Sequence, residues 1–208
     1  MGTTLLTFKQ RLRGPLGRDD STADAFIARG VNFGCILAAL LFDPPELSAS
    51  GSLAIAGSGT SVPLTTLTRL RLIKEIYNST GQCKVWEIPF SRFNFVVPAE
   101  TGNVRFYARD GNTLHVKPSP VAPNTLLTYY NQFPAVVDAN TQEISITDKD
   151  SLIESYALAY AFGCLEETEQ GAFWQKLGDI LMVPEAVLLK ARRYLEGGPS
   201  YGDDKSGT

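Results

Sequence analysis

The sequence predicts an α+β protein: a helical bundle built from both ends of the chain, with a small antiparallel β-domain inserted between them. Three observations predict it. Near both ends, apolar residues recur at three- and four-residue spacing, the period of a helix with one buried face. Between Glu46 and about Thr147 that period disappears, and prolines, glycines and short β-branched or aromatic runs take over. Within this stretch Asp110-Gly111-Asn112 separates two β-prone runs, the pattern of a tight hairpin. The resulting division is a discontinuous helical domain (1–45 and 148–196), an inserted β-domain (46–147) and a flexible tail (197–208). At 208 residues, 44% hydrophobic and 20% charged, the chain has a globular composition and can bury a core without disulfide or metal staples.

The elements follow in order. Residues 5–13 form a short helix closed by Gly14-Pro15. A second helix starts at Asp20-Ser21-Thr22-Ala23-Asp24, with Ser21 as N-cap and Asp24 three residues on, much like a capping box. Phe26, Ile27, Val31, Cys35, Ala38, Leu41 and Phe42 give it one apolar face, and Asp43-Pro44-Pro45 stops it. About five strands are expected, drawn from 52–56, 67–77, 84–88, 104–109, 113–117 and 125–131. Both residues of the Asp-Gly pair suit a turn with positive φ, and Pro118, Pro120 and Pro123 interrupt the strand that follows. Helix returns over 151–167, with Leu152, Tyr156, Ala159, Tyr160 and Gly163 on one face, and continues over 169–182. A last helix spans 184–195, with a proline in its first turn and Gly197-Gly198-Pro199 behind it.

Composition excludes several classes of function. The net charge is −3, and Lys and Arg are scattered apart from short pairs such as Arg11/Arg13 and Arg192/Arg193, so tight sequence-specific DNA binding is not expected. The apolar run 35–42 is well short of the roughly 20 residues a membrane span requires. The start of the chain lacks a signal-peptide pattern, so neither secretion nor membrane anchoring is expected. Cys35, Cys83 and Cys164 are odd in number and widely spaced; two lie in apolar helical contexts, as small hydrophobes in a reduced compartment. His115 is the only histidine, which removes any site that needs two.

Motifs for catalysis are similarly sparse. Gly57-Ser58-Gly59-Thr60-Ser61 has neither the lysine of a P-loop nor the third glycine and helix of a dinucleotide fold, and reads as a connection between strands. Asp148 and Asp150 precede a helix whose dipole favours them there. Glu166, Glu167 and Glu169 read as a solvated turn, and His115 as a surface or pairing residue of its strand. Trp86, Phe90, Phe93, Phe95, Phe106 and Tyr107 are expected to fill the β-domain core. No catalytic residue, metal site or cofactor is assigned, and the chain reads as a structural or binding module.

The order of the pieces resembles the head-to-tail adaptor proteins of tailed bacteriophages, a family that includes podophage tail accessory factors and neck adaptors. After the N-terminal helical pair comes the apolar-proline step Ser61-Val62-Pro63-Leu64, then a strand over 69–77 and a turn into Trp86-Glu87-Ile88-Pro89-Phe90-Ser91-Arg92-Phe93. Thr101-Gly102-Asn103-Val104-Arg105-Phe106-Tyr107 leads into the hairpin and on to Leu114-His115-Val116-Lys117-Pro118-Ser119-Pro120. The aromatic strand LLTYYNQFP, the Ala-rich helix SLIESYALAYAFGC and a tryptophan-bearing helix over 169–181 complete the likeness.

The resemblance implies a non-enzymatic virion protein, assembled in the host cytoplasm as a homo-oligomeric ring, usually dodecameric, below the portal protein. Its partners would be the portal on one side and a tail nozzle or tail hub on the other, with genomic DNA passing without specific binding, no cofactor and no membrane. Arg192, Arg193, Tyr194 and Tyr201 would anchor the chain's end on the portal, Arg and Tyr being favoured at interface hot spots. The hairpin Asp110, Gly111 and Asn112 would face the tail. Two alternatives stay open: a sugar-binding or cell-wall-hydrolysing tail component, which needs a cleft where Trp86 meets Glu87, and a tail-terminator or head-completion ring protein.

Overall fold

A computed structural model describes residues 2–96 and 101–179, which hold five α-helices and one seven-stranded sheet, a mixed α and β protein. The helix expected over 184–195 and the tail, with Arg192, Arg193, Tyr194 and Tyr201, lie outside the described residues. The chain divides into two units: Met1–Leu47 with Pro134–Thr208, and Ser48–Phe133.

In the first unit, α1 (Leu5–Leu16) begins behind Thr4, whose hydroxyl accepts the Thr7 N–H, and buries Leu5, Phe8, Leu12 and Leu16. It does not stop at Gly14-Pro15. A proline in the last turn forfeits a single backbone bond, and burial of Leu16 carries the helix to Gly17, which closes it at φ 67. In α2 (Ser21–Phe42) the N-cap is Asp20, not Ser21. Asp20 sits in extended backbone and its carboxylate accepts the Ala23 N–H at 2.8 Å, a bond that, with Arg18 beside it, holds the carboxyl below its usual range.

α2 is long and apolar enough to cross a bilayer, but its buried face lies on α4 (Asp150–Cys164). Gly30 and Gly34 make that approach possible. A Cβ on them would stand 2.6 Å from the Ala157 carbonyl oxygen and 2.9 Å from that of Ile153. The expected apolar face of α4 is only partly the buried one. Leu152 and Tyr156 are buried, Ala159 and Tyr160 are half-buried, Gly163 is exposed, and Ile153, Ala157, Leu158, Ala161 and Phe162 are buried instead. The helix is covered by α2 on one side and α5 (Thr168–Leu177) on another, so no single stripe describes it. Segment 134–147 adds Val137, Ile144 and Ile146 to this core, and the Asn32 side chain pins it by exchanging two 2.9 Å hydrogen bonds with the Val137 backbone.

The second unit contains β1 (Ser48–Ile55), β2 (Ser61–Pro63), β3 (Leu70–Asn78), β4 (Cys83–Glu87), α3 (Phe90–Val96), β5 (Phe106–Asp110), β6 (Thr113–Lys117) and β7 (Asn124–Gln132), with sheet order β1-β7-β3-β4-β5-β6-β2. The sheet is not wholly antiparallel, since β4 and β5 run parallel. A parallel pair needs a long crossover, and the stretch containing α3 supplies it. The outermost strands β1 and β2 send Leu53, Ile55 and Val62 into the same core as Ile76, Val85, Leu114 and Leu126 from the strands between them, so the sheet wraps one apolar interior. Asn78, fully buried, is satisfied throughout: its amide donates to Asn124 Oδ1 at 2.6 Å and the Val104 carbonyl at 3.2 Å, and its oxygen accepts the Gly81 N–H at 2.9 Å. The hairpin forms where expected, with Asp110 and Thr113 as its last pair. Its loop is Gly111-Asn112, and only Gly111 takes positive φ, at 55°. One glycine at the first loop position meets the strand twist without a second left-handed residue.

Candidate interaction surfaces

The polar groups singled out in the sequence are mostly engaged in holding the fold. In the connection between β1 and β2, the Ser58 and Gly59 N–H groups donate to the carbonyls of Pro120 and Ala56, so they are not turned to a phosphate. Asp150 accepts the Thr3 hydroxyl at 2.6 Å and Arg11 at 3.2 Å, and Arg11 reaches Glu154 at 3.0 Å, linking α1 to α4. A cavity of about 540 Å³ opens beside this network, lined by Thr3, Thr147, Asp148, Lys149, Asp150, Ser151 and Leu152. Lys149 lies over the Phe42 ring, and Glu46 accepts the Thr147 hydroxyl. Among the described residues no three His, Cys, Asp or Glu side chains are grouped to hold a metal ion.

His115 pairs with Ser61 and Ala108 in the sheet and stacks its ring 5.1 Å from that of Phe90. Trp86 and Glu87 do not share a cleft: Trp86 stands with Lys84 on one side of β4, and the Glu87 carboxylate accepts the Tyr107 hydroxyl at 3.2 Å. Of the helical cysteines only Cys35 is a buried hydrophobe, its thiol pushed up to about 12 chiefly by burial, while Cys164 is exposed.

The aromatic residues expected in the β core divide. Phe93 and Tyr107 are buried and Phe106 half-buried, whereas Phe90 is exposed, Trp86 is 58% exposed and Phe95 90%. The inward side of the sheet is already filled by Leu, Ile and Val. Val85 points in, so Trp86 next to it points out. Cross-strand register joins these rings into a band on the outer side. Trp86, Phe106 and Lys117 align across β4, β5 and β6, and Ser52, Leu127, Tyr77 and Lys84 across β1, β7, β3 and β4. Lys84 lies 5.1 Å from the Trp86 ring centre and Lys117 5.0 Å from that of Phe93. The sequence signal for this surface was the Lys-x-Trp spacing on β4, which sets cation and ring side by side on one strand face.

The first unit has exposed rings of its own. Phe33 and Ile36 stand on the outer side of α2, with Phe33 5.8 Å from Tyr160. On α5, Phe173 is 61% exposed and packs edge-on against Trp174 at 5.6 Å. Beside it, Glu166, Glu167 and Glu169 are all exposed at the corner between α4 and α5.

Carboxylates are committed to ion pairs and caps, and aromatic rings are left in solvent beside charges, the features of a protein that presents interaction surfaces. A family model described as SU10 adaptor protein matches residues 3–194, and the chain belongs to that family of phage adaptors. No curated protein matches the sequence.

Proposed function

We propose that copies of this chain form a ring, twelve in number, below the portal of a tailed phage, extend the channel through which DNA leaves the capsid, and dock the tail. The observation that carries this reading is the adaptor-family match over nearly the whole chain. The helical unit is then a bundle that builds the ring wall and meets the portal, and the β unit is an insert directed to the next tail component. Arg192, Arg193, Tyr194 and Tyr201 anchor on the portal, and the hairpin tip of Asp110, Gly111 and Asn112 faces the tail. No chemistry is performed. DNA passes without specific contacts, and the particle assembles in the host cytoplasm.

Mass photometry of the purified chain, alone and mixed with its portal, tests the reading. A portal-bound ring on mixing supports it. A monomer in both conditions, with no portal capture, overturns it.

A further inference from the structure

The two units carry opposite charge. Ser48–Phe133 has eight Lys and Arg against four Asp and Glu, net +4, while the rest of the chain has eleven against eighteen, net −7, together the −3 of the whole. On each unit the charge gathers around an exposed ring. Arg92 lies one helical turn before Phe95 on α3, Lys84, ion-paired with Glu75 at 3.1 Å, lies over Trp86, and the exposed Arg105 precedes Phe106, which pairs with Trp86. At the α4–α5 corner Glu166 and Glu167 precede α5, and Glu169 lies one turn before Phe173. Aromatic anchors bordered by charge are the composition of interface cores and their rims.

We infer that in the assembled state the basic aromatic surface of β4 and α3 on one copy docks on the acidic α4–α5 corner, with Phe173, of a second copy. This rests on the ring reading and names its subunit contact. A two-fold contact through either surface would bring like charges together, which opposes association. Joining the two different surfaces is heterologous, propagates from copy to copy, and closes a ring when the rotation permits. Duplex DNA could also meet Lys84, Arg92 and Arg105. Backbone phosphates, however, make no use of exposed rings, and the chain itself supplies the complementary charge.

The test uses Arg92→Glu with Arg105→Glu as one variant and Glu166→Arg with Glu169→Arg as another, all four being exposed positions. Assembly of each is read by mass photometry with and without purified portal, and folding by thermal melting. Wild type assembles; each variant melts like wild type and loses assembled fraction by roughly tenfold or more. An equimolar mixture of the two recovers it, because reversed surface then meets reversed corner. Variants that assemble like wild type, or normally melting variants whose mixture stays dissociated, overturn the interface and leave the ring standing. The same holds if the arginine variant loses only its binding to a 30-base-pair duplex (a length of about three helical turns). A wild type that never assembles, with or without portal, overturns the ring reading and this contact with it.

Discussion

Gly30 and Gly34 set the separation of α2 and α4 at the scale of single atoms. Gly30→Ala places a methyl 2.6 Å from a backbone carbonyl that has no rotamer to yield, so the helices must part. The expected cost is about 1–3 kcal/mol, read as a lower urea midpoint. Gly163, exposed in the last turn of α4, has nothing within 4 Å of a built Cβ, and Gly163→Ala is expected to add up to about 0.5–1 kcal/mol through helix propensity alone, read as a higher midpoint. The pair separates close packing from backbone entropy. Arg13 makes a two-bond contact with Asp24, at 2.9 and 2.8 Å, and its guanidinium holds the Asp24 carboxyl below its ordinary value. The unfolded chain therefore binds this proton more readily than the folded one. The resulting stability is fully present above the unfolded value near about 4 and is lost as pH falls through the lowered one. Arg13→Gln is expected to flatten that acid limb in urea titrations between about pH 2.5 and 7, and an unchanged limb would place its origin elsewhere.

At the level of elements, Asn78 ties the end of β3 to β7 and to the stretch before β5. Asn78→Leu strands Asn124 Oδ1, the Val104 carbonyl and the Gly81 N–H in one step, and is expected to cost about 3 kcal/mol in chemical denaturation. Asn112→Ala, at the exposed hairpin tip, is expected to stay within about 0.5 kcal/mol of wild type. The hairpin strands were legible because Asp110-Gly111 punctuates them. The long second helix was legible because its apolar spacing is regular. Phe90–Val96 was not: FSRFNFV is aromatic enough to suit a strand, and its helical state depends on Phe93 finding a place under Lys117, a tertiary contact. The exposed aromatic band was hidden for a related reason. Whether Trp86 faces in or out depends on the parity of β4, and a strand shifted by one residue would bury it.

For the whole molecule, a net charge of −3 conceals the +4 and −7 of its units, because an average over the chain cannot show where a boundary falls. That segregation becomes visible only when the strand ladder closes, with Ser48 opposite Asn131 on neighbouring strands. The same pairing has a consequence for heredity. Close to where the chain enters and leaves the β unit, Ser48 and Asn131 are paired about 5 Å apart, with Phe133 two residues further on, so a few residues span the gap. A chain in which Ser48–Phe133 gives way to a short Gly-Ser link is expected to keep its helical circular dichroism and melt in one transition; a broad, non-cooperative melt would show that the strands hold the helices in place. If the link is tolerated, the middle of the gene is a cassette. Recombination between phages could then exchange it whole, while the Gly30 and Gly34 contacts that build the other half pass on unaltered.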